Sequence, residues 1–277
     1  MIISVIGCGW MGQPLAELLV GCGYQLLGTT RSPEKKAKLE AANIKTFLLD
    51  LNQSEIDLKA IASLFRANIF FINLPPGRGK VGIEEQYPQQ IKFLVENIIK
   101  EATALGQTKP WVIFASSSGV YGEQNCLLTE STPCLPIRSG AKAVYAAEKL
   151  LADYKDKIDL SILRFAGLAG ADRQPGRFLA GKKGLNSGQT PVNLVHLDDC
   201  IGVVSLLIKK DLRYPLFNVS ADEHPLHRIF YPAQALKLGL EAPTYTDAAE
   251  MSERVLDNRL LKEKTGYRFQ HPDPMLF

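Results

Sequence analysis

Short apolar segments alternate with amphipathic segments over the first 165 residues, and this alternation limits the possible fold more than any other feature. The apolar segments lack polar alternation, which is typical of strands buried on both faces. They are Ile2–Ile6, Gln25–Thr29, Lys45–Leu49, Ile69–Asn73, Trp111–Ser116 and Asp159–Arg164. The segments between them have helical periodicity: Met11–Val20, Pro33–Ala41, Glu55–Leu64, Ile83–Ala104 and Ala141–Tyr154. This repeat predicts an α/β fold with a Rossmann-type, doubly wound parallel sheet.

The sequence changes character after Arg164. Gly167–Gly188 is rich in glycine, proline and basic residues, so we expect a long and partly irregular segment there. Strands at Val192–Val195 and Leu216–Val219 follow, with helices at Leu197–Lys209, Ile229–Leu238 and Asp257–Thr265. We therefore predict a Rossmann domain over residues 1–165 and a small C-terminal α+β portion over 166–277. Part of 192–220 is expected to join the first domain.

Composition and charge exclude several classes of protein. Of the 277 residues, 46% are hydrophobic and 22% are charged, which is typical of a globular protein and excludes disorder. A net charge of +3 without a long basic run gives no indication of nucleic-acid binding. The 5 cysteines have no metal-ligand spacing, and their odd number favours reduced thiols in the cytoplasm. Because no apolar run is long enough for a membrane span, we expect a cytoplasmic protein without a membrane partner.

A glycine-rich turn, Gly7-Cys8-Gly9-Trp10-Met11-Gly12, follows the first predicted strand and opens the first predicted helix. Glycines allow a tight turn and a close approach of a pyrophosphate, and the helix N-terminus offers free N–H groups to it. We therefore predict that Gly7, Gly9, Trp10, Met11 and Gly12 hold a dinucleotide. The alternative is a glycine turn that closes a βα unit without a ligand.

The end of the second strand indicates which dinucleotide binds. Sites for NAD place Asp or Glu there, whereas this chain has Thr30, Arg31 and Ser32. Arg31 can pair with a 2′-phosphate, and Ser32 can add a donor, so we predict NADP, with NAD as the second possibility. A solvated Arg31 before a helix is the alternative. Lys35, Lys36 and Lys38 are interpreted as a solvated helix face.

A second group of residues is suited to proton transfer. Tyr145 and Lys149 are four residues apart on a predicted helix, so their side chains share one face. An ammonium close to a phenol favours the phenolate, which can exchange a proton with a substrate hydroxyl while hydride moves. The segment Ser116-Ser117-Ser118-Gly119-Val120-Tyr121-Gly122 ends a buried strand, where ligands bind in open α/β sheets. A chance tyrosine–lysine pair and a polar turn are the alternatives.

Together these motifs resemble the extended short-chain dehydrogenases/reductases, the superfamily of nucleotide-sugar epimerases and dehydratases. The resemblance runs nearly end to end and includes Asp50-Leu51, Ile162-Leu163-Arg164, Val195–Asp199 and Gly266–Phe269. The initial GxGxxG, in place of the GxxGxxG usual in the extended group, indicates an atypical branch. The segments Pro175–Lys182 and Val192–Leu197 are similar to those of the bacterial YeeZ-like branch.

The resemblance implies roles for individual residues. Ser117 would hold the substrate oxygen, Tyr145 would be the acid/base, and Lys149 would bind the nicotinamide ribose and tune Tyr145. The C-terminal portion would bind the substrate. The further cofactor contacts that it implies are Asp50 and Leu51 at the adenine, Leu74 and Pro75 at the central riboses, and Ser116, Phe165, Ala166 and Gly167 towards the nicotinamide.

Candidates for substrate binding follow Arg164. Arg177 lies in a basic loop with Lys182 and Lys183 that could bind an anionic substrate, although a basic surface loop is an equal interpretation. Asn193 is a further candidate. His196 is another, and we favour a structural role for it at the start of a helix.

The same region contains residues that suggest other chemistry. Asp198-Asp199 is interpreted as a helix N-cap and dipole pair rather than an acid/base dyad. His224 and His227 are three residues apart without a third ligand at metal-binding spacing, so we predict no metal site.

Two functional hypotheses follow. The first is an NADP(H)-dependent oxidoreductase or epimerase that acts on a hydroxyl or carbonyl carbon, with a sugar nucleotide as one substrate class. The second is a non-catalytic NADP(H)-binding sensor or regulatory protein, since a fold does not fix a function. In both, the partners are small molecules, and we expect a monomer or a homodimer.

Overall fold

The computed structural model describes residues 1–53, 55–77, 81–170, 172–246 and 251–277. The chain forms two compact units. The first unit comprises Met1–Ser116, Pro136–Leu163 and Leu207–Leu216, and the second comprises Ser117–Leu135, Arg164–Leu206 and Phe217–Phe277.

Strands form a main sheet and two short pairs. The strands are β1 (Ile2–Ile6), β2 (Gln25–Thr30), β3 (Ile44–Leu48), β4 (Ile69–Ile72), β5 (Trp111–Ser117), β6 (Leu127–Leu128), β7 (Asp159–Phe165), β8 (Gly167–Ala169), β9 (Leu194–His196), β10 (Leu216–Val219) and β11 (Val255–Leu256). The main sheet has seven parallel strands in the order β10-β7-β5-β4-β1-β2-β3. Its order reverses between β1 and β4, and ligands of open α/β sheets bind at such a switch point. The predicted Rossmann-type fold class is confirmed.

The helices are α1 (Gly12–Gly21), α2 (Pro33–Ala41), α3 (Leu58–Ile61), α4 (Ile83–Ala104), α5 (Ser139–Ala152), α6 (Leu197–Lys210), α7 (His227–Lys237) and α8 (Arg259–Thr265). Helices α1 to α6 connect strands of the main sheet, whereas α7 and α8 follow its last strand, β10. The start of α2 is well specified, because the Ser32 hydroxyl accepts the Lys35 N–H and Pro33 occupies the first helical position. No helix in the described part of the chain is long and apolar enough to cross a membrane.

The core of the first unit explains the uninterrupted apolar runs in the sequence. All four residues of β4 are buried, and β1 is buried from Ile3 to Ile6. Side chains on both faces of these central strands are therefore covered, as expected for a parallel sheet with helices on both sides. Helices α4 and α5 pack against each other in the same unit.

The second unit has a small apolar cluster and a buried polar network. The cluster contains Ala169, Val192, Leu194 and Phe230. In the network, the Tyr121 hydroxyl donates to Asn218 Oδ1 over 2.7 Å and accepts from Arg164 Nη1 over 3.0 Å. Burial raises the pKa of the Tyr121 phenol. The tyrosine of the serine-rich motif therefore holds the second unit together.

Most element bounds differ from the predicted ones by one to three residues, as two examples show. The helix expected at Glu55–Leu64 begins at Leu58, after Asp57 accepts two backbone N–H groups, and changes to a 3₁₀ turn at Ala62–Phe65. The strand expected at Val192–Val195 is Leu194–His196. The hydrophobic pattern of a sequence does not show at which residue an N-cap starts a helix, or at which residue the pairing of a strand begins.

Candidate functional site

Backbone atoms crowd two of the three glycines in the turn between β1 and α1, and the third glycine faces open space. Gly7 has φ +102°, and a Cβ there would lie 2.4 Å from the Asn73 carbonyl oxygen. A Cβ on Gly12 would lie 2.2 Å from the Gly7 carbonyl oxygen. A Cβ on Gly9 would meet nothing within 4 Å, so open space faces this glycine. This pattern fits a backbone approached by a phosphate at Gly9.

The N-terminus of α1 is free to bind an anion. No side chain caps this helix at Met11, and no acidic residue lies in its first turn. The first N–H groups of a helix have no partner within it, and its dipole is positive at this end. An anion placed here would gain both hydrogen bonds and a favourable charge interaction.

A cleft of about 480 Å³ opens above this turn in the first unit. Nine of the residues that we predicted as cofactor contacts line it: Gly7, Gly9, Thr30, Arg31, Ser32, Asp50, Leu51, Leu74 and Pro75. The other lining residues were not predicted: Cys8, Thr29, Lys35, Leu49, Asn52, Asn73, Pro76, Gly77 and Gln90. Trp10, Met11 and Gly12 do not line it; Met11 and Gly12 are buried below the turn. The cleft therefore unites the ends of β1, β2, β3 and β4.

One end of the cleft is basic. Arg31 is exposed and Lys35 is half-buried, and both line the cleft beside the Thr30 end of β2. No carboxylate forms a salt bridge with either residue in the described part of the chain. From the sequence, Lys35 is interpreted only as part of a solvated helix face; in the structure it also lines the cleft, whereas Lys38 is exposed as expected. Lys35 lies in the first turn of α2, just after the Ser32 cap, and this position was the signal available in the sequence.

Hydrogen bonds of ordinary length hold the part of the cleft lining that follows β3 and β4. Asp50 Oδ1 accepts from the Asn52 backbone N–H over 3.0 Å, and Gln90 Nε2 donates to the Leu51 carbonyl over 3.1 Å. The Tyr87 hydroxyl donates to the Leu74 carbonyl over 2.7 Å, and burial raises the pKa of this phenol. Residues of α4 thus fix the two turns that follow β3 and β4. Gln90 lies far from the glycine turn in sequence, so no motif indicated it.

The tyrosine–lysine pair lies on α5, also in the first unit. Lys149 Nζ is 5.0 Å from the centroid of the Tyr145 ring. Tyr145 is half-buried and Lys149 is exposed. The side chains share one face as predicted. Between them in sequence, the buried carboxylate of Glu148 accepts a hydrogen bond from the Ser116 hydroxyl at the end of β5.

The remaining predicted cofactor and catalytic residues belong to the second unit. Ser117 is exposed, and its Oγ accepts the Gly119 N–H over 3.1 Å, which leaves its hydroxyl proton available to another acceptor. Phe165 and Ala166 are buried, whereas Gly167 is exposed and donates its N–H to the Asn193 carbonyl over 3.0 Å.

The three substrate candidates have different surroundings in the second unit. Arg177 is exposed and donates to Gln174 over 3.2 Å. The Asn193 side chain bonds the backbone three times, to Pro191, Arg254 and Leu256. These bonds support a structural role for Asn193. His196 lies at the start of α6, where its Nδ1 is 3.3 Å from the Asp198 backbone nitrogen.

The chain has a Rossmann-type α/β fold with a cleft at the switch point of its main sheet. The model of the NAD dependent epimerase/dehydratase family matches residues 3–219. The chain belongs to that family.

Known proteins resemble the chain over nearly its whole length. Protein YeeZ of Escherichia coli (strain K12) is 32% identical over 276 residues, which cover 99% of this chain and 97% of YeeZ. A short-chain dehydrogenase/reductase superfamily protein from Agrobacterium tumefaciens with bound NAD superposes with a TM-score of 0.79 at 16% identity, covering 100% of this chain and 95% of the other. UDP-glucuronic acid 4-epimerase from Bacillus cereus in complex with NAD gives a TM-score of 0.75 at 16% identity, covering 98% and 94%.

Proposed function

We propose that this chain is an NADP(H)-dependent oxidoreductase or epimerase that acts on a hydroxyl or carbonyl carbon of a sugar-nucleotide type of substrate. The observation that carries the proposal is the cleft at the switch point of the sheet, which joins the open space at Gly9 to a basic end at Arg31 and Lys35. One solved structure that superposes on the chain has bound NAD, and another is a UDP-glucuronic acid 4-epimerase in complex with NAD, which supports a nicotinamide cofactor and a sugar-nucleotide substrate.

The preference for NADP follows from charge. The 2′-phosphate of NADP carries negative charge that the NAD ribose lacks, and guanidinium and ammonium groups bind phosphate through charge-assisted hydrogen bonds. Arg31 and Lys35 offer both groups, and Thr30 stands where a site for NAD would place a carboxylate. The Ser32 hydroxyl already accepts the Lys35 N–H, so its proton remains available to a phosphate oxygen.

The chemistry would use the residues of α5. A bound nicotinamide nucleotide supplies the donor or acceptor of hydride. Tyr145 Oη then takes the proton of the substrate hydroxyl, or returns it to a carbonyl oxygen. The Lys149 ammonium, 5.0 Å from the ring centroid, stabilises the negative charge that develops on the phenol oxygen during this transfer.

Cofactor selectivity tests the first half of the proposal. We expect NADPH to bind more tightly than NADH in calorimetric titrations. Arg31→Ala and Lys35→Ala should each weaken NADPH binding about 10-fold or more and leave NADH binding nearly unchanged, because each removes one charge-assisted bond. Lys38→Ala on the same helix is the matched control and should bind as the wild type does. Tighter binding of NADH by the wild type would contradict the NADP assignment.

Turnover tests the second half and separates it from the sensor hypothesis. With a panel of UDP-sugars and other sugar nucleotides, we expect the wild type to interconvert at least one substrate. Tyr145→Phe should reduce this rate by about 100-fold or more, in keeping with the loss of a general acid/base. NADPH binding by the variant should stay close to that of the wild type. Tight NADPH binding with no turnover across the panel would instead support the sensor.

A further inference from the structure

We propose that His196, Asp198 and His271 bind a divalent transition-metal ion of the zinc type in the second unit. Each residue offers one ligand atom, and the three atoms lie within 4.8 Å of one another. Two imidazoles with one carboxylate are a donor set that such ions prefer, whereas Mg²⁺ and Ca²⁺ prefer oxygen ligands.

The spacing of the ligand atoms fits one ion. Asp198 Oδ2 is 3.3 Å from His196 Nδ1 and 2.9 Å from His271 Nε2. Ligands bound at about 2.0–2.2 Å in a tetrahedral arrangement are separated by roughly 3.3–3.6 Å, so small side-chain shifts suffice. The two imidazole rings lie side by side, with centroids 3.9 Å apart and planes inclined by 40°. Three protein ligands leave one position open for water or another small ligand.

The hydrogen bonds of His196 are mismatched without a cation. Its Nδ1 lies 3.3 Å from the Asp198 backbone N–H, a donor, and 3.3 Å from Asp198 Oδ2, an acceptor. One ring nitrogen cannot accept from the first and donate to the second at the same time, so either tautomer leaves one contact unmatched. An ion held by Nδ1 and Oδ2 matches both acceptors, and the amide at the exposed start of α6 can turn to water.

The buried carboxylate of Asp199, next to Asp198, holds the segment that carries His271. Asp199 is fully buried, and its oxygens accept the backbone N–H groups of Gln270 and His271 over 2.7 and 3.0 Å. Asp199 also accepts the Tyr267 hydroxyl over 2.8 Å. The segment that carries His271 is therefore fixed over the first turn of α6, where Asp198 lies. This support positions a ligand in the way that hydrogen bonds behind a metal site usually do.

Two further contacts complete the surroundings of the site. Gly170, with φ +106°, leaves the room that His196 needs, because a Cβ there would lie 2.5 Å from His196 Nε2. The Phe277 ring stands edge-on to both imidazoles, with centroids 5.3 and 6.2 Å away. An apolar ring beside the ligands limits access of water and strengthens their interaction with an ion.

No motif in the sequence indicates this cluster. The prediction of no metal site rests on His224 and His227, which lie close in sequence. His271 is separated from Asp198 by more than seventy positions, and only the fold of the second unit brings them together.

Metal titration of the full chain, purified without a histidine tag and treated with chelator, tests the proposal. We expect one equivalent of Zn²⁺ to bind with micromolar or tighter affinity in calorimetry, and Co²⁺ to give the visible absorption of a tetrahedral site. His271→Ala and Asp198→Asn should each weaken Zn²⁺ binding about 10-fold or more. His227→Gln, which alters a histidine of the same unit outside the cluster, should bind as the wild type does. Mg²⁺ should not compete.

The outcomes decide the proposal without reference to catalysis or to the cofactor. Absence of one-equivalent Zn²⁺ binding by the wild type would overturn it, as would unchanged binding by the folded Asp198→Asn variant. Asp198 is largely exposed, so its substitution should preserve the fold even if His271→Ala does not. Circular dichroism of each variant checks folding. A higher melting temperature with Zn²⁺ in the wild type, but not in Asp198→Asn, would support the same conclusion.

Discussion

At the scale of single residues, His227 shows how burial makes a side chain sensitive to pH. Its ring packs edge-on against Tyr231 with centroids 5.0 Å apart, and its Nδ1 lies 3.3 Å from Ser187 Oγ. Burial, with the nearby charge of Arg254, lowers the pKa of His227 from 6.5 to about 4. The ring is therefore mostly neutral in the folded chain above about pH 4.

We predict that this histidine weakens the fold as the solution becomes acidic. Between pH 6.5 and pH 4 the unfolded chain binds a proton at His227 that the folded chain does not, so the free energy of unfolding falls with pH. The loss should reach up to about 2 kcal/mol for a partly screened ring. Urea denaturation of the wild type and His227→Gln across this range measures it. Equal slopes in the two proteins would contradict the assignment.

Lys35 shows why a sequence pattern can miss a site residue. Three lysines within four positions on a polar helix are typical of a solvated face, and Lys38 is indeed exposed. The start of α2 is directed by Ser32 and Pro33, and this direction brings Lys35 alone to the cleft. Residue type and position in the sequence therefore predicted Arg31 as a residue of the cleft. To predict Lys35 as well, the orientation of α2 relative to the end of β2 had to be known.

At the scale of elements, β5 and α5 are joined by a buried polar contact. Ser116 at the end of β5 donates to the Glu148 carboxylate on α5, and both side chains are almost fully buried. Glu148 lies in the same helical turn as Tyr145 and Lys149. The contact therefore fixes the rotation of the helix that presents the tyrosine–lysine pair.

We predict that Ser116→Ala destabilises the chain. The substitution leaves a buried carboxylate with one donor fewer, which costs about 1–3 kcal/mol. Ser118→Ala, two residues further on and half-buried, is the control and should cost clearly less. Chemical denaturation compares the two variants. A smaller loss for Ser116→Ala than for Ser118→Ala would show that the contact does not stabilise α5.

The ends of elements were the least predictable part of the fold. The long, strongly apolar strands and the long helix α4 matched their predicted bounds closely. The short α3 did not, because Asp57 caps it late and the chain changes to a 3₁₀ turn at Ala62. Such ends depend on single hydrogen bonds, whereas the interior of an element depends on many residues of one pattern.

At the scale of the whole molecule, the first unit carries most of the Rossmann-type sheet and the cleft, and the second carries the His196–Asp198–His271 cluster. The fold class followed from the alternation of strands and helices, since parallel sheets require both. The contacts of Gln90 and of His271 could not be predicted from the sequence, because each contact joins segments that lie far apart in the chain. Motifs thus located the glycine turn and the tyrosine–lysine pair, and the fold supplied their surroundings.

We predict that the cofactor stabilises the folded chain. A ligand present at 100 times its dissociation constant adds about 2.7 kcal/mol to the free energy of unfolding. For a chain of this size, this corresponds to a melting temperature higher by about 5 °C or more. Differential scanning calorimetry with and without NADPH measures the shift, and Arg31→Ala should need a higher NADPH concentration to reach it. No shift at a large excess of NADPH would contradict the predicted site.

The partly exposed position of Arg31 and Lys35 has a consequence for the history of such chains. Neither side chain belongs to the packed interior, and substitutions outside a core usually change stability little. In the proposed site, point mutations of these two residues would therefore change the choice between NADP and NAD, while the strands beneath keep their order. The preference for a coenzyme would thus be open to selection separately from the architecture that presents it.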